Sequence, residues 1–129
     1  MNLEVRDALI TVLDAGIPTV SNRVYYGIAP SDAIFPYIVL HSISDRRPNQ
    51  AKKREHDVYF SVRCVSPNLT TAKTLEEAVV TLFDNTSVET TNWVSYRFFH
   101  VNSYSFLEQQ ERIQVYKEIC DFRLTIQAK

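Results

Sequence analysis

"HDVYFSVRCVS", residues 56 to 66, alternates with a period of two. Val58, Phe60, Val62 and Cys64 fall on one side, and Tyr59, Ser61 and Arg63 on the other. Successive side chains of a strand point to opposite faces, so this segment predicts a strand with one face covered and the other wetter. Something apolar has to cover the first face, and the chain offers two helical stripes for it. In residues 2 to 14, Val5, Ala8, Leu9, Val12 and Leu13 recur at i, i+3, i+4, i+7 and i+8. Asn2 is placed to cap that helix, Glu4 suits its positive first turn, and Gly16 and Pro18 stop it. In residues 69 to 84 the expected stripe is Ala72, Leu75, Val79 and Leu82, with Ala78 and Phe83 beside it and Pro67 and Asn68 opening the helix.

Further strands lie on either side. "RVYYG" from Arg23 reads as a short extended piece, and "APSDAIFP" as a connector whose prolines hold their neighbours out of the helical region. "YIVLHSIS", residues 37 to 44, is rich in β-branched side chains. After the second helix and the polar break "DNTSVETTN" come an aromatic strand over 93 to 106, a turn over "LEQQER" and a long last strand over 113 to 127. The order α-β-β-β-α-β-β predicts an α+β fold: two helices packed on a mostly antiparallel sheet, as one domain over residues 1 to 129.

The composition sets outer bounds. At 129 residues, 45% hydrophobic and 22% charged, the chain suits one globular core. Glu4, Arg6 and Asp7 interrupt the N-terminal segment where a signal peptide needs an apolar run. No stretch approaches the roughly 18 apolar residues of a membrane span, so the expectation is a soluble chain made in the cytoplasm, with no membrane partner. In that setting Cys64 and Cys120 read as reduced core residues, and the acceptor patterns at Asn68 and Asn85 as chance matches.

No constellation for catalysis emerges. With only Gly16 and Gly27, no glycine-rich phosphate loop and no nucleophile elbow can be built. His41, His56 and His100 fall on three different strands. His41 and His56 are expected to flank one loop, opposite each other, but a metal site would need further ligands at matching height. They read as strand-surface residues. Glu76 and Glu77, neighbours on a helix, point about 100° apart and cannot converge on a substrate, while Glu108 and Glu111 fall in a polar turn with no sign of the cleft that paired carboxylates need. The chain is read as no enzyme, with no cofactor and no metal.

Charge is distributed unevenly. "DRRPNQAKKREH", residues 45 to 56, holds Arg46, Arg47, Lys52, Lys53 and Arg54, five of the 14 basic residues. Without those five cations the chain sets 9 basic against 15 acidic residues, although the net charge is only −1. Nucleic-acid binders spread cations over a face, whereas these sit in one connection on an acidic body. That connection, read at about 11 residues, exceeds the usual hairpin length. "WVSYRFF" mixes aromatics with Arg97 in the manner of single-strand binders, but one arginine is a thin basis for that. Tyr96 and Phe98 share a side and are expected to pack under a helix.

Residues 23 to 45, "RVYYGIAPSDAIFPYIVLHSISD", resemble the signature of the small tail terminator, or tail completion, proteins of long-tailed bacteriophages. There a short helix precedes a pattern fitted here by Val24, Tyr25, Gly27, Ala29, Pro30, Pro36, Tyr37, Ile38 and Val39. The order of the later elements fits in outline. The resemblance implies a structural virion protein at the tail–head junction, without catalysis. It implies a homo-oligomer, a hexameric ring that caps the finished tail tube, ends its polymerisation and offers the head connector, or neck protein, a docking surface. DNA passes through such a ring without specific binding. On that reading Arg46, Arg47, Lys52, Lys53 and Arg54 contact a neighbouring subunit or the tube. Two alternatives stand beside it: another head–tail joining protein, or a nucleic-acid-binding module using the 46 to 54 segment.

Overall fold

In chain order the elements are helix α1 (Leu3–Gly16), a 3-10 turn (Pro18–Val20), strands β1 (Val24–Tyr26), β2 (Tyr37–Arg46) and β3 (Glu55–Ser66), helix α2 (Leu69–Asp84), and strands β4 (Trp93–Gln110) and β5 (Ile113–Ala128). This computed structural model describes residues 3–46, 55–110 and 112–129. The five strands form one curled sheet in the order β1-β2-β3-β5-β4. β1 runs parallel to β2, and every other neighbouring pair is antiparallel.

Both helices cover the same face. Val5, Leu9 and Leu13 of α1 and Ala72, Leu75, Val79 and Phe83 of α2 are buried against Ile38 and Leu40, the even-numbered apolar residues of β3, and Cys120, Phe122 and Leu124 of β5. Each fully buried side chain of this size contributes about 1.5–3 kcal/mol relative to exposure. At the centre four rings meet. Phe83 stacks on Phe98 at 4.5 Å and meets Phe60 and Phe122 edge-on at 5.7 and 5.0 Å. Phe98 therefore packs under a helix as expected, while the side chain of Tyr96 lies outside the described residues.

The alternation in β3 holds: Val58, Phe60, Val62 and Cys64 are buried, and Tyr59, Ser61 and Arg63 are only partly so. The α2 stripe needs correction, because Phe83 and not Leu82 completes it. Leu82 is half-buried and leans on α1, where a Cβ at Gly16 would come within 2.6 Å of it. Asn68 caps α2 by accepting a hydrogen bond from the Thr71 N–H at 3.2 Å. The cap assigned to Asn2 lies outside the described residues.

Two connections also differ from expectation. β4 does not turn at Leu107; its ladder with β5 continues through Leu107↔Tyr116 to Gln110↔Ile113. A polar sequence masked this, because both faces of the outer hairpin are wet. The β2–β3 ladder likewise runs on to Arg46↔Asp57, so only residues 47–54 separate the two strands. Gly27, at φ 80°, adopts the left-handed conformation that glycine tolerates, and its N–H donates to Leu40 O at 2.9 Å. It opens the connector to β2, in which the Phe35–Pro36 bond is cis.

Candidate docking surface

Among the described residues, the second face of the sheet carries no helix. The 27–35 connector folds over part of it, and Tyr25, Ala29, Ala33 and Phe35 pack on Tyr37, Val39, Val65 and Val115. Phe35 stacks on Tyr37 at 5.5 Å. Between this connector and the β4–β5 hairpin lies a groove of about 590 Å³, and a second hollow of about 290 Å³ adjoins it. Arg63 and Lys117 line both. The rim is apolar and open: Ile28 is 84% exposed, Leu107 57%, Phe106 54% and Ile113 49%. These residues arrive from separate elements, so no sequence window displays them as a patch. Exposed apolar side chains gathered in this way mark interaction sites.

The two groove cations differ. Lys117 Nζ pairs with Glu108 at 2.5 Å. Arg63 lies 3.3 Å from His41 Nδ1, its Nε is buried without a hydrogen-bond partner, and no carboxylate pairs with it among the described residues. Burial, and then the Arg63 charge, holds His41 below the usual histidine range. The shift favours the neutral ring, which can accept from the guanidinium but does not balance its charge. The signal in the sequence was its place on the wetter side of β3.

β4 is an edge strand: among the described residues its ladder partner is β5, and one isolated bridge joins Val94 to Glu89. Beyond that bridge no further strand pairs with its outer side among the described residues, and the side chains of Val101, Tyr104, Phe106 and Leu107 are exposed. An edge of this kind is a template for pairing with another chain.

On the helical face, sequence neighbours do not form the carboxylate pair; α2 and β5 do. Glu118 is 1% exposed and lies beneath Glu76. Ser105 donates to Glu118 Oε2 at 2.6 Å. Lys73 Nζ stands 3.6 Å from Oε1, close enough for attraction between charges but not for a hydrogen bond. Burial, followed by the hydrogen bond and charge of Glu118, raises the Glu76 carboxyl above its ordinary value, while Lys73 and His100 pull it down. Glu118 could have been found from the alternation in β5, where it shares a side with Cys120, Phe122 and Leu124.

The histidines are not brought together. His41 pairs with Ser61 in register, and His56 pairs with Ile126 on the far side of β3, so the two do not oppose each other. His56 is buried, its ring edge-on to Trp93 at 5.0 Å, and is not a surface residue. Among the described residues no three potential ligands gather for a metal. Cys64 and Cys120 are free and buried in the core, and burial pushes the Cys120 thiol up to about 12. Arg46 closes β2 opposite Asp57, while Arg47, Lys52, Lys53 and Arg54 lie outside the described residues.

An edge strand, an apolar-rimmed groove and an arginine without a carboxylate partner among the described residues are features of the class of proteins that dock on other macromolecules. The particular family follows from comparison with known proteins. The model of the family described as tail completion protein gp17 matches residues 4–127, and the chain belongs to that family, a structural one of phage tail assembly. No curated protein sequence matches it. A chain from a structure described as the virion of a native gene transfer agent particle shares the fold at TM-score 0.70 and 14% identity, covering 98% of this chain and 99% of its own. A second solved chain, which carries no descriptive name, aligns at TM-score 0.57 and 13% identity over 95% of this chain and 91% of its own.

Proposed function

We propose that this protein is a ring-forming tail terminator: copies close into a hexameric ring on the finished tail tube, end its polymerisation and present a docking surface to the head connector. It then sits in the virion at the tail–head junction, with DNA passing through the lumen unrecognised. The family match across nearly the whole chain carries this reading. The fold shared with a chain from a gene transfer agent virion accords with it. A ring built of one chain needs two different patches that meet head to tail. Arg46, Arg47, Lys52, Lys53 and Arg54 supply one contact, against an acidic partner surface on a neighbouring subunit or the tube.

The test is electron microscopy of the purified protein mixed with purified tail tubes. Closed rings decorating tube ends, together with overlong tubes when the gene is disrupted, are expected. Rings that bind only head connectors would make it a neck protein instead. Reversing the charge of Lys52, Lys53 and Arg54 is expected to weaken assembly in a salt-dependent way. Rings unchanged in native mass spectrometry would remove that segment from the interface.

A further inference from the structure

The two layers of this molecule carry opposite demands. α1 and α2 together hold Glu4, Asp7, Asp14, Glu76, Glu77 and Asp84 against only Arg6 and Lys73. On the outward side of α2, Glu77 and Asp84 are exposed, lie seven residues apart on one helical face, and pair with no cation among the described residues. Thr74 and Thr81 are exposed on the same helix, and Leu69 at its start is 41% exposed. On the sheet side, the groove holds the uncompensated Arg63 guanidinium inside an apolar rim.

We propose that the groove between the 27–35 connector and the β4–β5 hairpin receives α2 of a second copy of this chain, with Arg63 opposite Glu77 and Asp84. This deepens the ring reading and rests on it, because it names the two surfaces that meet. Three observations select a second copy. The groove contains a positive charge that pairs with no carboxylate among the described residues. The same chain displays, on α2 in the other layer, carboxylates that pair with no cation among the described residues. A contact between unlike surfaces of one chain propagates head to tail, as a ring requires, and does not stop at a dimer. Around the charges, Ile28, Phe106, Leu107 and Ile113 enclose the threonine and leucine side chains and exclude water, which strengthens the ion pairs. Unlike charges so placed also fix the register of successive subunits.

The experiment is a charge swap in the full-length protein, read by native mass spectrometry and sedimentation at low and high salt. Arg63→Glu alone is expected to weaken self-association roughly tenfold or more, and Glu77→Lys with Asp84→Lys to do the same. Combining all three is expected to restore association. Thermal melts of each variant check that it is folded; Glu77 and Asp84 are exposed, while Arg63 is partly buried. Rings of Arg63→Glu indistinguishable from the parent protein would overturn the proposal and leave the ring reading standing. So would a variant that self-associates normally but no longer binds purified tail tubes, because the groove would then belong to the tube subunit. A combined variant that stays as weak as the single ones would also overturn it. A parent protein that remains monomeric at high concentration and ignores tube ends would remove the ring reading itself.

Discussion

Replacing Phe83 with alanine tests the joint that holds α2 on the sheet. Phe83 is 1% exposed and meets the rings of Phe60, Phe98 and Phe122 at 5.7, 4.5 and 5.0 Å. Deleting a buried phenylalanine costs about 3–5 kcal/mol, as lost transfer free energy plus the cavity left behind. The cavity here is walled by three rings from three strands of one sheet, which are braced by ladders and cannot close over it, so about 4 kcal/mol is expected. Unfolding entropy of roughly 2.1 cal/mol/K per residue gives about 0.27 kcal/mol/K for a chain of this length, so Tm should fall by about 15 °C. Urea denaturation with an unchanged slope would confirm that the native state itself lost stability. Phe83→Leu, which keeps most of the volume, should lose clearly less. A loss under about 1.5 kcal/mol for the alanine variant would refute the reasoning, because the four rings would then not be the point at which helix and sheet are locked.

Three further outcomes are expected. Asn68→Ala removes the α2 cap and should cost about 1 kcal/mol in chemical denaturation, whereas Asn68→Asp should keep most of it. Glu76 has a folded-state carboxyl raised by burial and by Glu118, so the native state binds a proton more tightly than the unfolded chain does. Its contribution is complete below the ordinary glutamate value and is lost as pH rises through the raised one. Glu76→Gln should therefore flatten the pH dependence of stability in that window, and a melt series with an unchanged slope would contradict it. Ser105→Ala removes the 2.6 Å hydrogen bond to the buried Glu118 carboxylate and should destabilise by about 1.5–3 kcal/mol, read by urea titration near neutral pH.

Local pattern carried the elements. The period of two in 56–66 and the 3.6 period in both helices are direct imprints of which side of a strand or helix is dry, so Val58, Phe60, Leu9 and Val79 were legible as core from the chain alone. The family, too, was visible in residues 23 to 45, because that segment makes the short β1, the connector and the start of β2. Legibility failed wherever the deciding neighbour was distant in sequence. Leu82 and Phe83 are both apolar, and only the position of Phe98 and Phe122 chose the ring for the core. Glu118 reads as one more charge until α2 sets Glu76 above it and β4 sets Ser105 beside it. The groove is the extreme case: Ile28, Arg63, Phe106 and Ile113 have nothing in common along the chain and become a surface only when β3, β4, β5 and the connector are assembled. Periodicity records how each segment meets its own layer, whereas a docking surface depends on which layers meet, and long-range strand pairing alone decides that.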